Sequence, residues 1–190
     1  GVVLLTAEPG TGKSSLTLQM LVGLDQRCLY VTGEETVEQV AATGRRIGAL
    51  SPKLFLFAES DLDKIFMHAQ KARVAAIVID SIQKIQCADV QGRPGQTSQL
   101  KASTQRLVQY AKNTNTALWL IGHVTADGDV QGPRTIEHDV DVLLEMEQGK
   151  NSDSRTLRIS TKNRFGPTNV VGKMKMTPKG LVSVDEDGWG

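Results

Sequence analysis

Residues 7–14 read AEPGTGKS and sit between the apolar run VVLLT (2–6) and a helical pattern from Ser14 to about Leu24. The segment matches G-x-x-x-x-G-K-[ST], except that Ala7 stands where the first glycine would be. That position is the least demanding, because a phosphate approaches the backbone most closely at Gly10 and Gly12. Their amides, with the positive end of the following helix, can cradle a β-phosphate. Lys13 would reach the β- and γ-phosphates, and the Ser14 hydroxyl would hold Mg2+. Glu8, Pro9, Gly10, Thr11, Gly12, Lys13, Ser14 and Ser15 therefore form a candidate loop for ATP or ADP. The plainer reading is a glycine-rich turn joining two elements. The order strand, loop, helix favours the phosphate site.

Outward from this loop, apolar runs alternate with helical periods. CLYVT (28–32), LFLFA (54–58), AAIVIDS (75–81) and TALWLIGH (116–123) read as further strands. Thr36 with Gln39 has the capping-box pattern at the start of one helix, and Asp61 can cap another. Leu100, Leu107, Tyr110 and Ala111 mark a fourth helix. Continuous apolar strands separated by helices imply a parallel sheet covered on both faces. From VDVLLEME (140–147) onward, strands follow one another directly, which predicts an antiparallel extension at one edge. The fold class is α/β, a mostly parallel twisted sheet of the P-loop NTPase kind. QCADVQGRPGQTS (86–98) and ADGDVQGPR (126–134) read as mobile loops.

Strand ends supply the remaining candidates. Asp80 closes four apolar residues, where a Walker-B carboxylate meets a hydrated Mg2+. With Ser14 it makes the candidate metal pair. Glu34 and Glu35 follow the second strand, where a carboxylate can act as general base on water. One of them can instead complement the helix beginning at Thr36. Glu34 lies nearer the strand end and is the preferred base. His123 ends the fifth strand and can sense a γ-phosphate, or be a structural histidine. His68 and His138 read as structural.

A net charge of +1 on 190 residues carries no global basic field, so a nucleic-acid partner must be met by a local cluster. The two cysteines, Cys28 and Cys87, lie far apart, which argues against a zinc site or disulfide framework and fits a reducing cytoplasm. There is no membrane-length apolar run. The sequence opens inside a strand, so residues 1–190 are expected to be a core cut from a longer chain. STKNRFGP (160–167) places Lys162 and Arg164 two apart on one strand edge, where they are expected to project side by side with no acidic partner nearby. Such cations can stabilise charge developing in phosphoryl transfer, and can do so from a neighbouring subunit. They can equally be a solvated edge that blocks strand pairing.

EPGTGKSSL, YVTGEE, IVIDSIQ, IGHVT, GPRTIEHDVD and KNRFGPTN occur in one order and span nearly the whole chain. Together they resemble the ATPase core of the bacterial RadA/Sms family, RecA-like recombination and branch-migration motors. KNRFG is the most specific of these elements. The resemblance implies a RecA-like fold, ATP with Mg2+, single-stranded DNA as partner and a ring of six subunits. It assigns Lys13, Ser14 and Asp80 to nucleotide and metal, Glu34 to water activation and His123 to γ-phosphate sensing. Lys162 and Arg164 would reach the neighbouring subunit's ATP. Typical members also carry a four-cysteine zinc module and a Lon-like domain, neither of which is in this sequence. The family's loop after GHVT usually begins with Lys, whereas here it reads Ala126-Asp127-Gly128-Asp129.

The loops at 81–98 and 126–134 would face DNA with Lys84, Arg93 and Arg134, and they contain no aromatic residue for base stacking. Two other functions fit parts of the pattern. One is a regulatory ATPase of the KaiC kind that does not move on DNA, which the paired glutamates suit as well. The other is a nucleotide-binding interaction module without turnover, against which Glu34, Lys162 and Arg164 argue.

Overall fold

The computed structural model describes residues 1–123 and 135–184. A nine-stranded sheet runs in the order β3-β2-β4-β5-β1-β6-β7-β8-β9. Its strands are β1 (Val2–Ala7), β2 (Cys28–Thr32), β3 (Leu54–Ala58), β4 (Ala76–Asp80), β5 (Ala117–His123), β6 (Val142–Gln148), β7 (Ser154–Asn163), β8 (Val171–Thr177) and β9 (Gly180–Ser183). The helices are α1 (Lys13–Gly23), α2 (Val37–Ile47), α3 (Leu62–Ala72) and α4 (Thr97–Thr114). A 3-10 turn covers Ile82–Lys84. Strands β1 to β6 pair in parallel, and β7 to β9 add an antiparallel extension.

Alternation along the strands explains the layers. In β2, Leu29 and Val31 join α3 and α4 residues such as Ile65 and Leu107 in one core, while Cys28 and Tyr30 pack with Leu18 of α1 and Val40 of α2 in the other. Both faces of β2 are thus buried, as in a parallel strand covered by helices on each side. A third cluster, with Leu5, Leu144, Met146 and Leu181, ties the extension to β1. β3 is the outer strand, and its Phe55 is exposed.

Local chemistry sets the helix starts. Thr36 and Gln39 form the reciprocal capping box, and Asp61 accepts from the Asp63 and Lys64 amides. The stretch at 86–98 is more fastened than its composition predicts. Gln99, 2% exposed on α4, accepts from the Cys87 amide at 2.8 Å and donates to the Cys87, Val90 and Gly92 carbonyls. A single buried amide thereby satisfies a segment that lacks regular backbone pairing.

The parallel registers bring strand ends into line. Thr32 stands opposite Asp80, Asp80 opposite Ile121, and Ala7 opposite His123. The segment after each strand therefore emerges at the same end of the sheet, where open α/β sheets bind ligands.

Candidate functional site

Gly10 and Gly12 adopt φ of 78° and 106°, a left-handed backbone that favours glycine, and Gly12 opens α1. The turn so made lines a cavity of about 420 Å3 with Pro9, Lys13, Ser14 and Ser15. Thr32, Glu34, Glu35, Thr43, Arg46, Asp80, His123 and Met176 complete its lining. The volume lies in the range of small-ligand sites. The candidate loop, base, metal pair and histidine thus share one cavity. Glu8 and Thr11 stand behind the loop, along a second cavity with Glu145 and Glu147.

Lys13 is 5% exposed, and its ammonium donates to the Ala7 and Glu8 carbonyls at 2.9 and 2.8 Å. Burial holds its pKa below the ordinary lysine value, opposed by the negative charges of Asp80, Glu34 and Glu8. The Ser14 hydroxyl donates to Asp80 Oδ2 at 2.9 Å, and the Tyr30 hydroxyl donates to the same oxygen. Burial and the Asp80 charge push the Tyr30 pKa well up, so the phenol stays protonated and donates.

Glu34 Oε1 accepts from the Ser81 hydroxyl at 2.8 Å and lies 3.3 Å from His123 Nε2. That contact lacks hydrogen-bond alignment: both ring nitrogens of His123, and Gln83 Oε1, are buried without a partner among the described residues. Buried ring nitrogens left free on a residue that lines the cavity fit a bound oxyanion or water. Gln83 Nε2 donates to the His123 carbonyl at 3.2 Å, linking the end of β5 to the segment after β4. Glu35 lines the same cavity. Burial, then the Asp80 and Glu34 charges, raise its pKa.

Magnesium is tested by the donor set. Ser14 and Asp80 supply hard oxygens 2.9 Å apart beside the phosphate loop. No group of three or more His, Cys, Asp or Glu able to hold a metal occurs among the described residues. A sparse set completed by phosphate oxygens and water is how Mg2+ is usually held, so the residues fit it.

Lys162 and Arg164 lie elsewhere. β7 runs antiparallel to β6, so Arg155 stands opposite Gln148 near the cavity and Asn163 opposite Val142 at the other end. Lys162 is seven residues beyond Arg155, about 23 Å along the strand. β7 is paired on both sides over 154–158, and Lys162 lies beyond that stretch. The expectation that the cations lack an acidic partner is corrected: Arg164 pairs with Asp141 Oδ1 at 3.0 Å, and Lys162 donates to the Glu137 and His138 carbonyls. Asp141 also accepts from the Val2 amide at 2.8 Å. The fold brings it to Arg164 from 23 residues away.

Lys84 and Arg93 are exposed on the segment after β4. Arg134, and the whole stretch 126–134, lies outside the described residues. Residues that sequence reading missed include Tyr30, Ser81, Gln83, Asp141 and Arg155. Gln83 ends the motif IVIDSIQ, but nothing in those residues marks it as a partner of His123.

The family model described as "ATPase family associated with various cellular activities (AAA)" matches residues 3–166. "DNA repair protein RadA" of Pseudomonas aeruginosa is 43% identical over 185 residues, which is 96% of this chain and 41% of that protein. The Escherichia coli protein of the same name is 40% identical over 184 residues, 96% of this chain and 40% of its own length. The chain thus spans about two fifths of the length of these relatives. A KaiC-like protein of Pyrococcus horikoshii superposes with a TM-score of 0.76 over 97% of this chain and 89% of that one. At 18% identity it establishes the fold, which is RecA-like. The chain belongs to the AAA family of P-loop ATPases and is homologous over nearly its whole length to part of the bacterial RadA proteins.

Proposed function

We propose that the chain is an ATP-hydrolysing core that binds single-stranded DNA and works in a ring of six subunits, driving branch migration or translocation in recombination and repair. The name of its relatives supports the repair setting. The observation that carries hydrolysis is Glu34, held by the Ser81 hydroxyl and 3.3 Å from His123 Nε2, in the cavity that Lys13, Ser14 and Asp80 also line.

The residues divide the work. The amides of residues 10–15 hold the phosphate chain, and Lys13 turns from the Ala7 and Glu8 carbonyls to the β- and γ-phosphates. Its burial strengthens that attraction over what water would allow. Ser14 and Asp80 hold Mg2+, which when bound neutralises charge on the phosphate oxygens. Ser81 fixes Glu34, which takes a proton from the attacking water as its oxygen bonds to the γ-phosphorus. The bond from phosphorus to the bridging oxygen breaks, leaving ADP and phosphate. His123, with ring nitrogens free, contacts the γ-phosphate, and its carbonyl passes the change to Gln83.

Lys162 and Arg164 serve the nucleotide of a neighbouring copy. Their place at the far end of β7 supports this, because they lie too far from their own phosphate loop to touch it. Phosphate release with and without single-stranded DNA tests the proposal. Turnover raised by DNA and lost in Glu34→Gln is expected. Turnover indifferent to DNA would favour a regulatory ATPase, and nucleotide binding without turnover would favour an interaction module.

A further inference from the structure

Arg155 is 6% exposed and forms no ion pair with a carboxylate among the described residues. An ionised guanidinium is costly to bury unless its donors are used. Here they are spent on backbone carbonyls. Nε donates to Thr11 O at 2.6 Å, and Nη1 to Ser152 O and Ser154 O at 2.7 and 2.8 Å. The first of these acceptors is in the phosphate loop, 144 residues away and beyond β6.

The peptide plane gives that contact a consequence. In a trans peptide the C=O of one residue and the N–H of the next point in opposite directions. Thr11 faces the cavity behind the loop, whereas Gly12 lines the nucleotide cavity. Holding the Thr11 carbonyl outward therefore turns the Gly12 N–H inward. The Thr11 side chain is also tied, donating to Glu8 O at 2.9 Å, so the residue is fixed at both ends. Gly12 at φ 106° lies where glycine has wide freedom, and a fixed neighbour is what removes that freedom.

We propose that Arg155 is a positioning residue of the nucleotide site: it grips the Thr11 carbonyl and so aims the Gly12 amide at the phosphate chain. This rests on reading the cavity as a triphosphate site. The amide so placed meets phosphate in ground state and transition state alike, so its loss raises KM and Kd with little change in kcat.

The test compares Arg155→Met and Arg155→Lys with wild type in ATP binding, steady-state turnover and the amide NMR resonance of Gly12. Arg155→Met is expected to weaken ATP about tenfold, the size of one lost charge-assisted hydrogen bond. Its kcat at saturating ATP should stay within about threefold. Arg155→Lys keeps the charge but not the fork, and should recover part of the affinity. The Gly12 resonance should move in both variants before nucleotide is added. A purely structural arginine would lower the melting temperature and leave the Kd of the folded protein unchanged. That result, or an unmoved Gly12 resonance, overturns the proposal. If Arg155→Met does not fold, Arg155→Lys decides by the same readouts. Wild-type protein that binds no ATP would sink the nucleotide reading, and the Gly12 resonance would still judge Arg155.

Discussion

A Lys162→Ala/Arg164→Ala double variant tests whether one nucleotide site is shared between two copies of the chain. Arg155 touches its own phosphate loop, and Lys162 stands about 23 Å further along the same strand. No lysine side chain bridges that gap, so within one copy the two cations cannot meet the γ-phosphate. ATP binding should therefore stay within about twofold of wild type, since the loop, Lys13 and Asp80 are untouched. Turnover should fall about a thousandfold, or about 4 kcal/mol of transition-state stabilisation, as for arginine fingers generally. Lys13→Ala has the converse defect, with intact cations and a dead site. In an equal mixture about a quarter of the head-to-tail interfaces join an intact site to intact cations, so about a quarter of wild-type activity should return. The assay is phosphate release at rising protein concentration, with light scattering to report co-assembly. Wild-type turnover in the double variant would show the cations to be surface charges. Lost activity that mixing fails to restore, despite co-assembly, would place their action within one subunit.

Other perturbations separate the remaining roles. Glu34→Gln should keep ATP affinity and lose turnover, read as phosphate release against nucleotide binding; unchanged release would move the base to Glu35. Lys13 has a folded pKa below its unfolded one, so the unfolded chain binds more protons between the two values and stability should rise with pH across that window. Melting curves of Lys13→Met should lack that rise. Glu35 has the opposite sign for an acid: its folded pKa is raised, so stability should fall as pH climbs from 4.5 through that higher value, and Glu35→Gln should melt with a flatter profile. Gln99→Ala leaves the Cys87 amide unsatisfied, a loss of about 1–3 kcal/mol, and should speed hydrogen exchange at 87–92. Affinity for single-stranded DNA should drop steeply as salt rises, since Lys84, Arg93 and Arg134 offer charge without aromatic stacking; a flat salt response would refute that.

What could be read in the sequence was whatever acts within a few residues or repeats with a period. The phosphate loop is contiguous, the capping box of Thr36 spans four residues, and Asp80 announces itself by closing an apolar run. Pairings made by the fold carry no such mark. Tyr30 reads as one more apolar residue of CLYVT, and only the register of β2 against β4 brings its hydroxyl to Asp80. Asp141 reads as an acid before a strand, and its tie to Arg164 depends on β7 returning along β6. Arg155 sits in an alternating strand where a charged residue would ordinarily face water. Its true acceptors are carbonyls, which every residue has, so composition could not point to them.

Strand β7 has a contact with its own phosphate loop at one end and the two KNRFG cations at the other. The strand is paired on both sides over 154–158 and continues beside β6 to Asn163. In a ring with shared sites, a shift of the loop as nucleotide is spent would tug Arg155 and displace the cations inserted next door. The two ends are chemically unlike, so such a message would travel around the ring in one sense only. Firing order would then be a property of a single strand's orientation, with no separate timing element required.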